Sequence, residues 1–147
     1  MKRVVFFIAL FFVALSSYAQ TKEYIWPKNM MPDAQEHQVA AKLPDTKKES
    51  FRSEDNRIPY LEWYDAPAKE VQNGGCMILI SGGSYKNWCD VKLVEKWAKR
   101  FTELGFQCVA LVYRTPRPVG LPIYQTAWQD GQRAVRLVRS QAKKRGF

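Results

Sequence analysis

Ten residues, Cys76-Met77-Ile78-Leu79-Ile80-Ser81-Gly82-Gly83-Ser84-Tyr85, constrain this chain more than any other stretch. The first five are apolar without interruption, which suits a strand buried on both faces of a parallel sheet. The run then breaks into Ser-Gly-Gly-Ser-Tyr. Two adjacent glycines allow a sharp turn and close approach of another group to the main chain. Peptide N–H groups in such a loop can face an anion. A strand that ends in a glycine loop and leads to a helix is a place where chemistry can be built.

The flanking sequence predicts the elements that would hold this loop. Arg57 to Tyr64 alternates around Leu61 and Trp63 and reads as a first strand, with Pro59 at its start. Cys76 to Ile80 is a second, buried strand. Asp90 is a fitting N-cap for a helix over 91–104, with Val94, Trp97, Ala98, Phe101 and Leu104 on one face. Gly105 supplies a left-handed stop. Cys108 to Tyr113 is a third apolar strand. Arg114 to Pro122 holds three prolines and cannot be regular. A second helix over 124–145 presents a narrow face, Ala127, Gly131, Ala134, Val135, Val138 and Ala142, and ends at Gly146. Strand, helix, strand, helix is the pattern of an α/β fold with a parallel sheet, in which a further strand should follow the second helix. Trp88, Trp97 and Trp128 read as core or rim positions.

The N-terminus has another character. Met1-Lys2-Arg3 is basic, Val4 to Leu15 is apolar, and Ser17-Tyr18-Ala19 has the small-residue pattern that precedes cleavage. Residues 1–19 therefore read as a signal peptide and the chain as secreted or periplasmic. The apolar run is short for the ~20 residues of a spanning helix, so no stable membrane anchor is expected. Residues 20–56 form a polar leader, extended over the domain or partly disordered, and 57–147 form the domain proper. Net charge falls from +9 to +7 without Lys2 and Arg3. The remaining excess lies on helix faces without a recognition motif, so nucleic acid is not an expected partner. Cys76, Cys89 and Cys108 lack metal spacing, and the sole histidine, His37, stands in the leader. No metal or organic cofactor is expected.

Two chemistries compete for the glycine loop. A dinucleotide site needs G-x-G-x-x-G running into a helix. Here a third glycine is missing and the helix starts later, although Arg114 could mimic a 2′-phosphate reader. An oxyanion loop fits better, because it needs only backbone N–H groups beside the reacting carbonyl.

At this point a resemblance becomes specific. Ser81-Gly82-Gly83-Ser84-Tyr85 resembles the H/P-G-G-G-aromatic loop of esterase/lipase-type α/β-hydrolases. Val112-Tyr113-Arg114 resembles the tyrosine–arginine pair that ends their next strand, and Pro122 through Gln129-Asp130 to Arg133-Ala134-Val135 resembles the helix that follows. Ile25-Trp26-Pro27 with Pro32, and Ile58-Pro59-Tyr60-Leu61, resemble the leader and first strand. The likeness covers about residues 24–147 and is to the N-terminal half of a secreted acetyl-esterase or carboxylesterase. It departs at Ser81, in place of the first motif residue, and at Ser84, in place of the third glycine.

The resemblance implies an α/β-hydrolase-type parallel sheet, truncated before the nucleophile elbow. Gly82, Gly83 and Ser84 would form the oxyanion hole, and Tyr85 would line the acyl or alcohol pocket. The substrate would be a small-molecule or carbohydrate ester. Arg114 and Asp130 would pair structurally, tying a strand end to a helix start. No catalytic residue is assigned, because the chain has no G-x-S-x-G and its histidine precedes the motif region. The expectation is a fragment of a serine ester hydrolase, inactive by itself. Two alternatives stand beside it: a non-catalytic secreted binding protein, and a peptidase of the same fold.

Overall fold

The computed structural model describes residues 21–34, 51–52, 57–65, 67–86, 88–89, 91–115 and 118–147. The proposed signal peptide, His37 and the Asp90 cap lie outside them, as does most of the leader beyond Ala34. Six strands and two α-helices occur in the described residues: β1 (Thr21–Tyr24), β2 (Phe51–Arg52), β3 (Tyr60–Trp63), β4 (Cys76–Ile80), β5 (Trp88–Cys89), α1 (Val91–Glu103), β6 (Gln107–Val112) and α2 (Gln125–Arg145). The main sheet has the order β1-β3-β6-β4, and β2 pairs with β5 in a separate two-stranded ribbon.

The fold is mixed α/β, but the sheet is not parallel as expected. Only β4 and β6 run parallel, with Met77 opposite Cys108 and Ile80 opposite Leu111. β3 is antiparallel to β6, and β1 is antiparallel to β3. The reason lies in the connections. β4 reaches β6 through α1, the kind of helical crossover that parallel neighbours need. The link from β3 to β4 contains one 3-10 turn, Lys69–Val71, and no crossover helix.

Burial also differs from the sequence reading. β6 is the strand enclosed on all sides, with every residue buried. β4 is an edge strand, half-buried along its length, and Ile80 is 58% exposed. Five apolar residues in a row show that a strand needs covering, not that a neighbour stands on each side. In α1, Val94 and Ala98 enter the core as the periodicity predicts, but Trp97 and Leu104 are about half exposed, at 49% and 48%. Gly105 has φ +90°, and a Cβ there would meet the Val71 carbonyl oxygen at 1.7 Å, so the turn from α1 into β6 admits only glycine.

The leader adds a strand that no apolar pattern announced. β1 pairs Lys22 with Glu62 and Tyr24 with Tyr60 across the sheet. Polar contacts hold it. Trp63 Nε1 donates to Glu23 Oε2 at 2.7 Å, and Gln141 Nε2 donates to Glu23 Oε1 at 2.6 Å. The Lys22 ammonium sits 3.7 Å from the Tyr60 ring centroid, a cation–π contact.

Alternation along β6 places the helices on opposite faces. The Cys108 thiol lies beside Thr102 of α1. Leu111, three residues on and so facing the other way, lines a groove with α2. The start of α2 lies near Arg114, at the end of β6, and its last turn lies over Trp63, where the Arg145 guanidinium is 3.6 Å from the ring centroid. α2 therefore runs back along the sheet. It stops at Gly146, φ +80°, whose N–H donates to the Ala142 carbonyl.

Candidate functional site

The loop after β4 is left-handed over three consecutive residues. Gly83 has φ 142°, Ser84 54° and Tyr85 60°. Glycine takes such angles freely, whereas serine and tyrosine do so only where surrounding contacts hold them. The Lys86 N–H donates to the Gly83 carbonyl at 2.9 Å and closes the turn. At its start Ser81 is buried, and its carbonyl accepts a hydrogen bond from the Tyr113 hydroxyl at 3.2 Å. The Tyr85 ring meets the Tyr113 ring edge-on, centroids 6.4 Å apart.

This loop opens on a groove of about 870 Å³. Ile80, Leu111 and Tyr113 line it from the sheet; Trp128, Val135 and Arg136 are among the residues that α2 contributes. Gly82, Gly83, Ser84 and Tyr85 all border it. The four residues proposed from sequence are thus brought to one cavity. Among the described residues that line the groove, none carries a carboxylate, an imidazole or a thiol. The Ser81 hydroxyl donates to the Gly82 carbonyl at 3.3 Å, a contact that does not activate it as a nucleophile. The two described thiols are equally unsuited. Burial, with the neighbouring Cys108 next, pushes the Cys76 thiol up to about 12, and burial raises Cys108 as well. Among the described residues, no group of three metal-ligating side chains gathers, and no helix is long and apolar enough to cross a membrane.

Behind the groove, Arg114 and Asp130 form an ion pair at 2.9 Å with both side chains 0% exposed. It is more than a pair. Asp130 Oδ2 also accepts the Arg114 backbone N–H at 2.9 Å, and Oδ1 accepts Trp26 Nε1 at 2.8 Å. The guanidinium donates to the Pro32 carbonyl at 2.7 Å and to Gln129 Oε1 at 3.0 Å. Asp33 Oδ2 accepts Gln129 Nε2 at 2.6 Å and Gln125 Nε2 at 2.8 Å. These two hydrogen bonds, Gln129 first, hold the Asp33 carboxyl below its usual range. Sequence reasoning paired Arg114 with Asp130; it quoted Trp26, Pro32 and Gln129 only as parts of the resemblance, not as partners of the pair, and missed Asp33 and Gln125. The signal available was the spacing Gln125-x-x-x-Gln129, which puts both amides on one side of a helix. It also passed over Tyr113 as a loop support. Trp88 is core, donating from Nε1 to the Leu111 carbonyl at 3.2 Å, while Trp128 is 62% exposed at the groove.

One solved structure shares this fold. It is the acetyl ester-xyloside bifunctional hydrolase from Caldicellulosiruptor lactoaceticus, with a TM-score of 0.53 at 21% identity. The alignment covers 84% of the present chain and 37% of that hydrolase. The chain thus has the fold of part of that hydrolase and spans well under half its length. No family model matches the chain, and no curated protein does.

Proposed function

We propose that this chain is the N-terminal part of an exported serine ester hydrolase acting on small-molecule or carbohydrate acetyl esters. The observation that carries the reading is the left-handed glycine loop at the end of β4, opening on an apolar groove beside an edge strand with no partner on its far side among the described residues. The shared fold with an acetyl ester hydrolase supports it.

In this reading the Gly83 and Ser84 amides donate to the oxyanion, with Gly82 beside them at the groove and Tyr85 lining the pocket. The nucleophile belongs to a strand that adds to the edge of β4. The position of the last described residue supports that placement. The Phe147 ring packs against Trp63 at 6.3 Å, and Phe147 shares a small cleft with Gly75, immediately before β4. A chain continuing from there would enter beside the start of β4 and finish beside its glycine loop. The serine oxygen would then attack the ester carbonyl carbon. The carbon–oxygen bond to the alcohol breaks with a proton delivered to the leaving oxygen, and water hydrolyses the acyl-enzyme.

The test compares residues 1–147 with the complete reading frame, both assayed on an activated acetyl ester with and without a serine-directed inhibitor. The expected result is inhibitor-sensitive turnover in the longer protein and none above background in the shorter. Inhibitor-sensitive turnover by residues 1–147 would overturn the fragment reading. A longer protein that cleaves peptides and not esters would favour a peptidase, and one that cleaves neither would favour a binding protein. For export, the intact mass of the mature protein is expected to begin at Gln20.

A further inference from the structure

Ser84 and Tyr85 lie in a region of backbone space that L-residues avoid, and they do so in succession. The Lys86–Gly83 hydrogen bond closes the turn from its far side only. Both ends of the loop meet a single side chain, that of Tyr113. Its hydroxyl donates to the Ser81 carbonyl at 3.2 Å, where the loop leaves β4. Its ring packs edge-on against Tyr85, where the left-handed stretch ends. Tyr113 is itself buried. It follows β6, and the next backbone N–H, that of Arg114, is fixed to the buried Asp130 carboxylate at 2.9 Å.

We infer that Tyr113 is a positioning residue for the glycine loop: hydroxyl and ring together brace Ser81 to Tyr85 in the left-handed path that sets where the Gly83 and Ser84 amides point. The bracing stands on the geometry alone; its catalytic consequence rests on the oxyanion reading above. The same contacts connect the loop to the leader, since the Arg114–Asp130 pair that anchors Tyr113 also holds Trp26 and Pro32.

Two substitutions test this in the complete protein, Tyr113→Phe from the core side and Tyr85→Ala from the loop side. NMR reads the strong intraresidue contact between amide and α-proton that marks positive φ. In both variants the residues at positions 84 and 85 are expected to lose it. The Lys86 amide is expected to exchange with solvent about tenfold faster, as for loss of one hydrogen bond's worth of protection, while β6 and α2 keep their rates. Positive φ and an unchanged Lys86 rate in both variants would overturn the inference. So would a uniform rise in exchange across β6 and α2, which would make Tyr113 a core residue and nothing more. If Tyr113→Phe does not fold, Tyr85→Ala decides by the same readouts. In the complete hydrolase, Tyr113→Phe is expected to lower kcat by roughly ten- to a hundredfold with KM within about twofold, as for misplaced transition-state donors. A loosened loop with unchanged kcat would overturn the catalytic consequence. Absence of any hydrolysis by the wild-type protein would strike the esterase reading and leave the loop readouts to decide the bracing.

Discussion

Asp130 accepts from the Arg114 guanidinium, the Arg114 backbone and the Trp26 indole, and both Asp130 and Arg114 are fully buried. A buried charge held this way is weak evidence for net stability, but removing one partner strands the other. Arg114→Ala is therefore expected to destabilise by about 3–5 kcal/mol. In a double-mutant cycle with Asp130→Ala, thermal unfolding should give less than the sum of the single losses. Additive losses would contradict the pairing. The pair was legible because an arginine after an apolar strand and an aspartate early in a helix are complementary whatever the loop between them. Its leader partners were not, because a tryptophan indole or a proline carbonyl carries no sequence mark of what it will bond. Asp33 adds a pH dependence. Its folded pKa is depressed by Gln129 and Gln125, so its contribution is present above its ordinary value of 3.8 and is lost as pH falls through the lower folded value. Hydrogen exchange in residues 25–33, corrected for intrinsic rate, is expected to rise as the solution is taken from about pH 5 toward pH 2. Asp33→Asn should flatten that rise, and a variant with the wild-type profile would assign it to other groups.

Two short turns decide how the elements meet, and they respond oppositely to the same kind of change. At Ser84, φ 54°, glycine removes the strain of a side chain. Ser84→Gly is expected to leave stability unchanged or raise it by up to about 1 kcal/mol. Proline there cannot take a positive φ, so Ser84→Pro would distort the loop as well as delete the N–H. At Gly105 the reverse holds. Gly105→Ala would drive a Cβ into the Val71 carbonyl and is expected to cost more than about 2 kcal/mol by chemical denaturation. A neutral Gly105→Ala would show that this turn can shift. The sequence marked Gly105 as a helix stop, because glycine after an apolar periodic run has few other uses. It could not show that Ser84 and Tyr85 are left-handed, since in this account that conformation is imposed by Tyr113, which follows β6 and is distant in sequence. In α1 the periodicity placed Val94 and Ala98 inward correctly and Trp97 and Leu104 wrongly. A helix over a sheet edge is half covered, so its apolar stripe is wider than the surface that buries it.

At the scale of the molecule, the existence and order of β3, β4, α1, β6 and α2 were legible from apolar runs, helical spacing and glycine stops. Strand direction and edge position were not, since they depend on which strands end up adjacent. β1 escaped because Lys22, Glu23 and polar pairing hold it in place of an apolar run. Among the described residues β4 is open on one side, with Ile80 and Trp128 exposed around the groove. Open strand edges and exposed apolar surface recruit partners. Residues 1–147 alone are therefore expected to self-associate in sedimentation experiments, and the complete reading frame to protect the β4 amides from exchange. A monomeric short chain with β4 already protected would contradict an open edge. A crystal structure of the complete protein after reaction with a phosphonate ester tests whether the Gly83 and Ser84 amides form an oxyanion hole completed by a serine from beyond α2. The phosphonyl oxygen is expected within about 2.7–3.1 Å of the Gly83 and Ser84 nitrogens, with phosphorus bonded to a serine on a strand beside β4. A phosphonyl oxygen held elsewhere, or a protein that the reagent leaves unlabelled, would contradict it.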